Sequence, residues 1–132
     1  MMKFRALTIA TAAALFGSAC GLSHNSAGGT YIDPADAAST VVLHVVNHSS
    51  ESMELRTVEN GQSLFIGSVG AQDSTKLLLD PSLFPTATLY VLGVPPGGYG
   101  RAAVGPLSAS KGQQINMTIE PSLGLSHATV VP

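Results

Sequence analysis

The sequence has no tryptophan, a single cysteine and few charges. Aspartate, glutamate, lysine and arginine together make up 11% of 132 residues, against about 25% in an ordinary globular chain. Each scarcity excludes something. One thiol cannot form an intramolecular disulfide, so any folded domain must be stable without bridges. An aromatic content of 5% leaves little from which to build the exposed ring platforms that sugar-binding proteins use. A formal net charge of −2 gives no basic surface for nucleic acid or for anionic lipid. The apolar run nearest the N-terminus, Ala6 to Phe16 (ALTIATAAALF), is eleven residues long, short of the roughly 20 needed to cross a bilayer.

That short run has informative flanks. Lys3 and Arg5 precede it, and the small residues Gly17, Ser18 and Ala19 follow. A basic start, an apolar middle and a small-residue end form the three-part layout of a secretory signal peptide. The sole cysteine, Cys20, comes next. Gly17-Ser18-Ala19-Cys20 resembles the lipobox of bacterial lipoproteins. The resemblance implies that the Cys20 thiol receives a diacylglycerol, that the chain is cut before it, and that the freed amine is acylated as well. An ordinary signal peptide and an uncleaved anchor are the alternatives, and neither explains why the only cysteine ends the apolar run. Each buried methylene of such a lipid contributes about 0.8 kcal/mol, and two or more chains hold where one binds reversibly. Cys20 is therefore read as a lipid acceptor rather than a nucleophile or a metal ligand. The same resemblance implies that Gly21, where an aspartate would resemble an inner-membrane retention signal, favours the outer membrane in a two-membrane host. In a single-membrane host the protein would sit on the outer face of the plasma membrane.

Loss of residues 1–19 leaves 113 residues in which Arg56, Lys76, Arg101 and Lys111 face all eight acids, a net charge of −4. The expected organisation is a signal peptide over 1–19, a lipidated cysteine and flexible tether over 20–39, and a folded domain over 40–132. The tether segment is rich in Gly, Ser and Ala and shows no period of either kind. As a coil it would span about 25 Å.

From Thr40 on, short apolar runs alternate with turn signals. Strands are expected at 40–47, 52–58, 63–69, 74–80, 88–94, 101–109 and 114–120, with a further short one possible at 127–131. Asn60-Gly61 marks a hairpin, because both central positions of a type I′ turn need positive φ. Gly105-Pro106 interrupts the sixth run, as suits an edge or bulged strand. Seven short strands at this spacing predict an all-β, seven-stranded antiparallel sandwich. Its expected core is Val41, Leu43, Val45, Leu55, Leu64, Ile66, Leu77, Leu79, Leu89, Val91, Val104, Ile115, Met117 and Ile119. The pattern over 40–120, with Val41-Val42-Leu43-His44-Val45-Val46-Asn47 opening it and Lys111 to Glu120 closing it, resembles the small β-sandwich envelope lipoproteins of several bacterial phyla. That implies an immunoglobulin-like or transthyretin-like architecture and an envelope location, and carries over no functional residue.

Candidate chemistry is sparse. His44 and His48 are four apart, but on a strand that separation is about 13 Å, too far for one zinc ion to bind both nitrogens at about 2 Å. Ser108-Ala109-Ser110-Lys111 matches the S-x-x-K string of penicillin-recognising enzymes, yet it ends a strand and its companion motifs are missing. Gly97-Gly98-Tyr99-Gly100 lacks the Lys-Ser/Thr of a phosphate loop. Glu51, Glu54 and Glu59 do not have EF-hand spacing. No cofactor is expected. The functional expectation is a lipid-anchored, non-catalytic interaction or structural module whose partners are the membrane, through its lipid, and another envelope protein. Tyr99, Arg101, Glu51 and Glu54 are the candidate contact residues. The alternative is a carrier of a small apolar ligand or lipid, with a cavity between the sheets.

Overall fold

A computed structural model of the chain describes residues 32–83 and 88–132. A short helix, α1 (Pro34–Ser39), precedes eight strands: β1 (Val41–Asn47), β2 (Met53–Glu59), β3 (Gln62–Val69), β4 (Ser74–Leu79), β5 (Thr88–Val94), β6 (Ala102–Ser108), β7 (Gln114–Ile119) and β8 (His127–Val131). Single 3-10 turns occupy Pro81–Leu83 and Leu123–Leu125. The strands form two four-stranded sheets, β4-β1-β7-β8 and β3-β2-β5-β6. The fold is an all-β sandwich, with an eighth strand where seven were expected, because the C-terminal run pairs along β7 from Thr118↔His127 to Gln114↔Val131. The immunoglobulin order places the first, second, fifth and fourth strands in one sheet, whereas here the first and second strands lie in different sheets.

One pairing corrects the antiparallel expectation. β1 and β7 run parallel, with Leu43 beside Ile115 and Val45 beside Met117. The reason is the crossing between sheets. The turn after β6 delivers the chain to β7 at the end where β1 begins. There Gly112 N–H donates to Thr40 O (2.8 Å) and Val42 N–H to Gln113 O (3.0 Å).

The sheets enclose Val41, Leu43, Val45, Leu79, Ile115, Met117 and Ile119 from one side and Met53, Leu55, Val69, Leu89, Val91 and Val104 from the other. A fully buried Leu, Ile or Met contributes about 1.5–3 kcal/mol. Ile66 and Leu77 lie partly buried against this core. Leu64, expected inside, is 48% exposed. The pairing of β2 with β3 shifts between Leu55↔Gly67 and Arg56↔Phe65, so Ile66 is the extra residue of a bulge. Unbulged alternation would put Leu64, Ile66 and Ser68 on one face. The bulge instead carries the inner face from Leu64 to Gly67 and Val69. Leu64 then opposes Thr57 near the hairpin tip, lining an open cleft with Glu59 and Asn60.

The hairpin itself forms as expected, with Asn60 at φ 49° and Gly61 at φ 77°. Two glycines are needed for close approach between the sheets. A Cβ on Gly93 would lie 3.0 Å from Ile119 Cδ1, and one on Gly67 would lie 2.9 Å from Leu77 Cδ1.

The end of the expected flexible tether holds α1. Asp33 caps it by accepting from Ala35 N–H (2.8 Å), and Pro34 occupies the first turn. The Thr40 and Ser39 hydroxyls donate to Asp36 O at 2.6 and 3.1 Å. The helix buries no side chain, so it has no apolar stripe by which periodicity would reveal it. Cys20 and the signal segment lie outside the described residues.

Candidate functional site

Strand directions sort the connections to two ends. The β2–β3 hairpin, the β6–β7 turn and α1 share the end where the chain enters β1. The loops after β1, β3, β5 and β7 share the other end, about 20 Å away along a seven-residue strand. Glu51, Tyr99 and Arg101 all stand in loops of this second end, and all three are exposed. Tyr99 is 90% exposed, so it projects from the Pro95–Arg101 loop rather than lying flat on the sandwich.

Glu54 sits differently. It is on β2 beside Val94, on the outer face of the sheet, and Arg56 Nη2 donates to its Oε2 at 3.2 Å. The structure therefore brings three of the four candidate contact residues to one end and places the fourth one step down the adjoining face, already in an ion pair.

A polar clasp holds this end. Asn47, at the close of β1, is 1% exposed. Its Nδ2 donates to Glu51 O (2.8 Å) and Gly70 O (2.9 Å), and its Oδ1 accepts from Ser49 N–H (2.9 Å). Asn47 N–H donates to Asp73 O (2.8 Å), and Gln72 N–H to Ser49 O (3.2 Å). The Gln72 side chain donates again to Ser49 O (3.0 Å) and to His48 O. Gln72 holds φ 55°, a left-handed conformation uncommon outside glycine. The loops after β1 and β3 are thus tied together, one amide satisfying three backbone groups.

Asn47-His48-Ser49 reads along the chain as a possible glycosylation acceptor, but the amide is sealed and fully used. Its real signal was local: Asn and Ser at i and i+2 compete for backbone partners and build turns.

The remaining candidates are dispersed. His44 is half-buried on the outer face of its sheet between Lys76 and Asn116, while His48 lies beyond the strand end. Ser108 ends β6, Ala109 is buried, and Lys111 is in the following turn. Among the described residues, no three His, Cys, Asp or Glu side chains gather as metal ligands would. At the entry end, Ser82 N–H donates to Asp80 Oδ1 (2.9 Å). This bond, the Ser82 hydroxyl and Lys111 hold the Asp80 carboxyl below the ordinary carboxylate range, against a small opposing desolvation.

No family model matches the chain, and no curated protein matches it. Among solved structures, the chain is similar to the NMR structure of a protein from Eubacterium rectale. The two share 12% identity over 72% of this chain and 91% of that one, with a TM-score of 0.41.

Proposed function

We propose that this protein is a lipid-anchored component of a bacterial cell envelope whose β-sandwich is a non-catalytic interaction module. The observation that carries the reading is the position of the only cysteine, directly after an eleven-residue apolar run and Gly17-Ser18-Ala19. Fold polarity supports it. The chain enters the sandwich at the end opposite the clasped loops, so an anchor at Cys20 would leave Tyr99, Arg101 and Glu51 facing away from the bilayer. Loops fixed on a rigid sandwich are a common place for binding. The carrier alternative asks for space between the sheets. At Gly93 and Gly67 the sheets approach so closely that not even a methyl group would fit without displacing Ile119 or Leu77, which speaks against a cavity at those positions.

The anchor is tested on the full chain expressed in a bacterial host. The wild type should partition into detergent and have the mass of residues 20–132 plus a diacylglyceryl group and any N-acyl chain, whereas Cys20→Ser should stay in the aqueous phase. A variant that keeps both the partitioning and the mass of the wild type defeats the reading. The interaction role is tested with a photo-crosslinking residue at Tyr99. A discrete adduct absent from a control at Thr129 supports it, and no adduct at position 99 removes it.

A further inference from the structure

The two outer faces of the sandwich differ in their central rows, although each carries exposed apolar residues: Leu78, 41% exposed, stands beside Val42 on the first face. Across the β4-β1-β7-β8 sheet, one transverse row reads Lys76, His44, Asn116, Thr129. The corresponding row of the other sheet reads Phe65, Arg56, Leu92, Ala103. Phe65 is 53% exposed and Tyr90, on the same face, 44%. The next row toward the loop end is Ser68, Glu54, Val94. This face therefore carries apolar side chains around one acid and one base, which sit two residues apart on a single strand.

We infer that this face pairs with the same face of a second copy of the chain. An isologous contact must be complementary to itself. Placing a two-fold axis in the contact plane, perpendicular to β2 and level with Leu55, lays β2 antiparallel over its counterpart. Arg56 of each copy then meets Glu54 of the other, and Leu92 meets Val94. One face thus supplies both signs of charge at the separation such an axis requires. A two-fold axis along the strand would instead set Glu54 against Glu54, so the charge arrangement selects the antiparallel pairing. Four strands about 4.8 Å apart, over about five residues of 3.3 Å, give a flat footprint of roughly 300 Å². That is small beside the roughly 800 Å² per partner of a standard interface, so the dimer is weak and concentration-dependent. The contact does not depend on the lipid. In the dimer the two entry ends point opposite ways, so two copies anchored in one bilayer lie with their strands along it and their loop ends to the sides, in place of the upright orientation of the single copy. The chain between Cys20 and Asp33, with a contour length of about 40 Å, spans the distance.

The test is sedimentation velocity of the full chain in detergent over a concentration series, with circular dichroism to confirm folding. The wild type should pass from monomer to dimer. Arg56→Glu places like charges at both symmetric contacts and should weaken the dimer by about tenfold, or roughly 1.4 kcal/mol. The double variant E54R/R56E restores opposite charges across the axis and should recover wild-type association. Should Arg56→Glu fail to fold, Phe65→Ser, outside the core, should weaken association by a similar factor. A wild type that stays monomeric to millimolar concentration overturns the inference. So does a dimer indifferent to Arg56→Glu, or one that the double variant does not restore, since a contact with any other surface would be damaged twice rather than repaired.

Discussion

Replacing Asn47 by alanine tests whether the clasp organises the loop end. The substitution removes three side-chain hydrogen bonds, all between 2.8 and 2.9 Å. Glu51 and Gly70 are exposed residues, so their carbonyls can recover water, and each loss should cost about 1 kcal/mol. Ser49 is buried, and leaving its N–H unpaired costs a further 1–3 kcal/mol or so. The expected total is about 3–5 kcal/mol, a large part of the roughly 5–15 kcal/mol that holds a small domain folded. Urea denaturation of the full chain, followed by circular dichroism, would show this as a lower midpoint at unchanged slope. Asn47→Asp separates hydrogen bonding from volume. It keeps the acceptor for Ser49 N–H but turns a carboxylate oxygen toward two carbonyl oxygens, and should cost at least as much as alanine. A loss below about 1 kcal/mol for Asn47→Ala, or an Asn47→Asp variant as stable as the wild type, would refute this account of the loop end.

Two further predictions concern the core and the entry end. Gly93→Ala should destabilise by about 1–3 kcal/mol through overpacking against Ile119. Ile119→Val, which removes the Cδ1 methyl that the new Cβ meets at 3.0 Å, should recover part of the loss in the double variant, and strict additivity in denaturation would rule out the contact. The Asp80 carboxyl is held below its ordinary value. A lowered folded value means its stabilisation is fully present above the unfolded value of about 3.9 and is lost as pH falls through the folded one. A carboxyl titration followed by NMR should place its midpoint below about 3.9, and Ser82→Ala should move it upward; a midpoint at or above the ordinary value contradicts the assignment.

Much of the fold could be read from local pattern. The runs expected at 88–94 and 114–120 are observed at Thr88–Val94 and Gln114–Ile119, because alternation and Gly/Pro/Asn punctuation are properties of adjacent residues. Alternation places Leu64 inside, and its register opposite Thr57 does keep it on the inner face, but it stands near the hairpin tip where the core ends, and the bulge at Ile66 hands the inner face on to Gly67 and Val69. A bulge is visible only when two strands are laid side by side. The clasp was missed for a similar reason. Asn47 and Ser49 announce a turn, but their partners Gly70 and Gln72 are more than twenty residues away.

The sequence alone determined the strand-built character of residues 40–132, most of the strand limits and the type of the first hairpin, and it holds the apolar run followed by Gly17-Ser18-Ala19-Cys20 on which the proposed anchor rests. These rest on side-chain alternation, turn chemistry and composition, each confined to a few consecutive residues. Only the tertiary structure decided that β1 and β7 run parallel, that Phe65, Leu92 and Ala103 share an outer row with Arg56 beside Glu54, and that Tyr99, Arg101 and Glu51 share an end remote from where the chain enters. These properties depend on which distant segments lie against one another, and that is set when the two sheets bury their inner faces together.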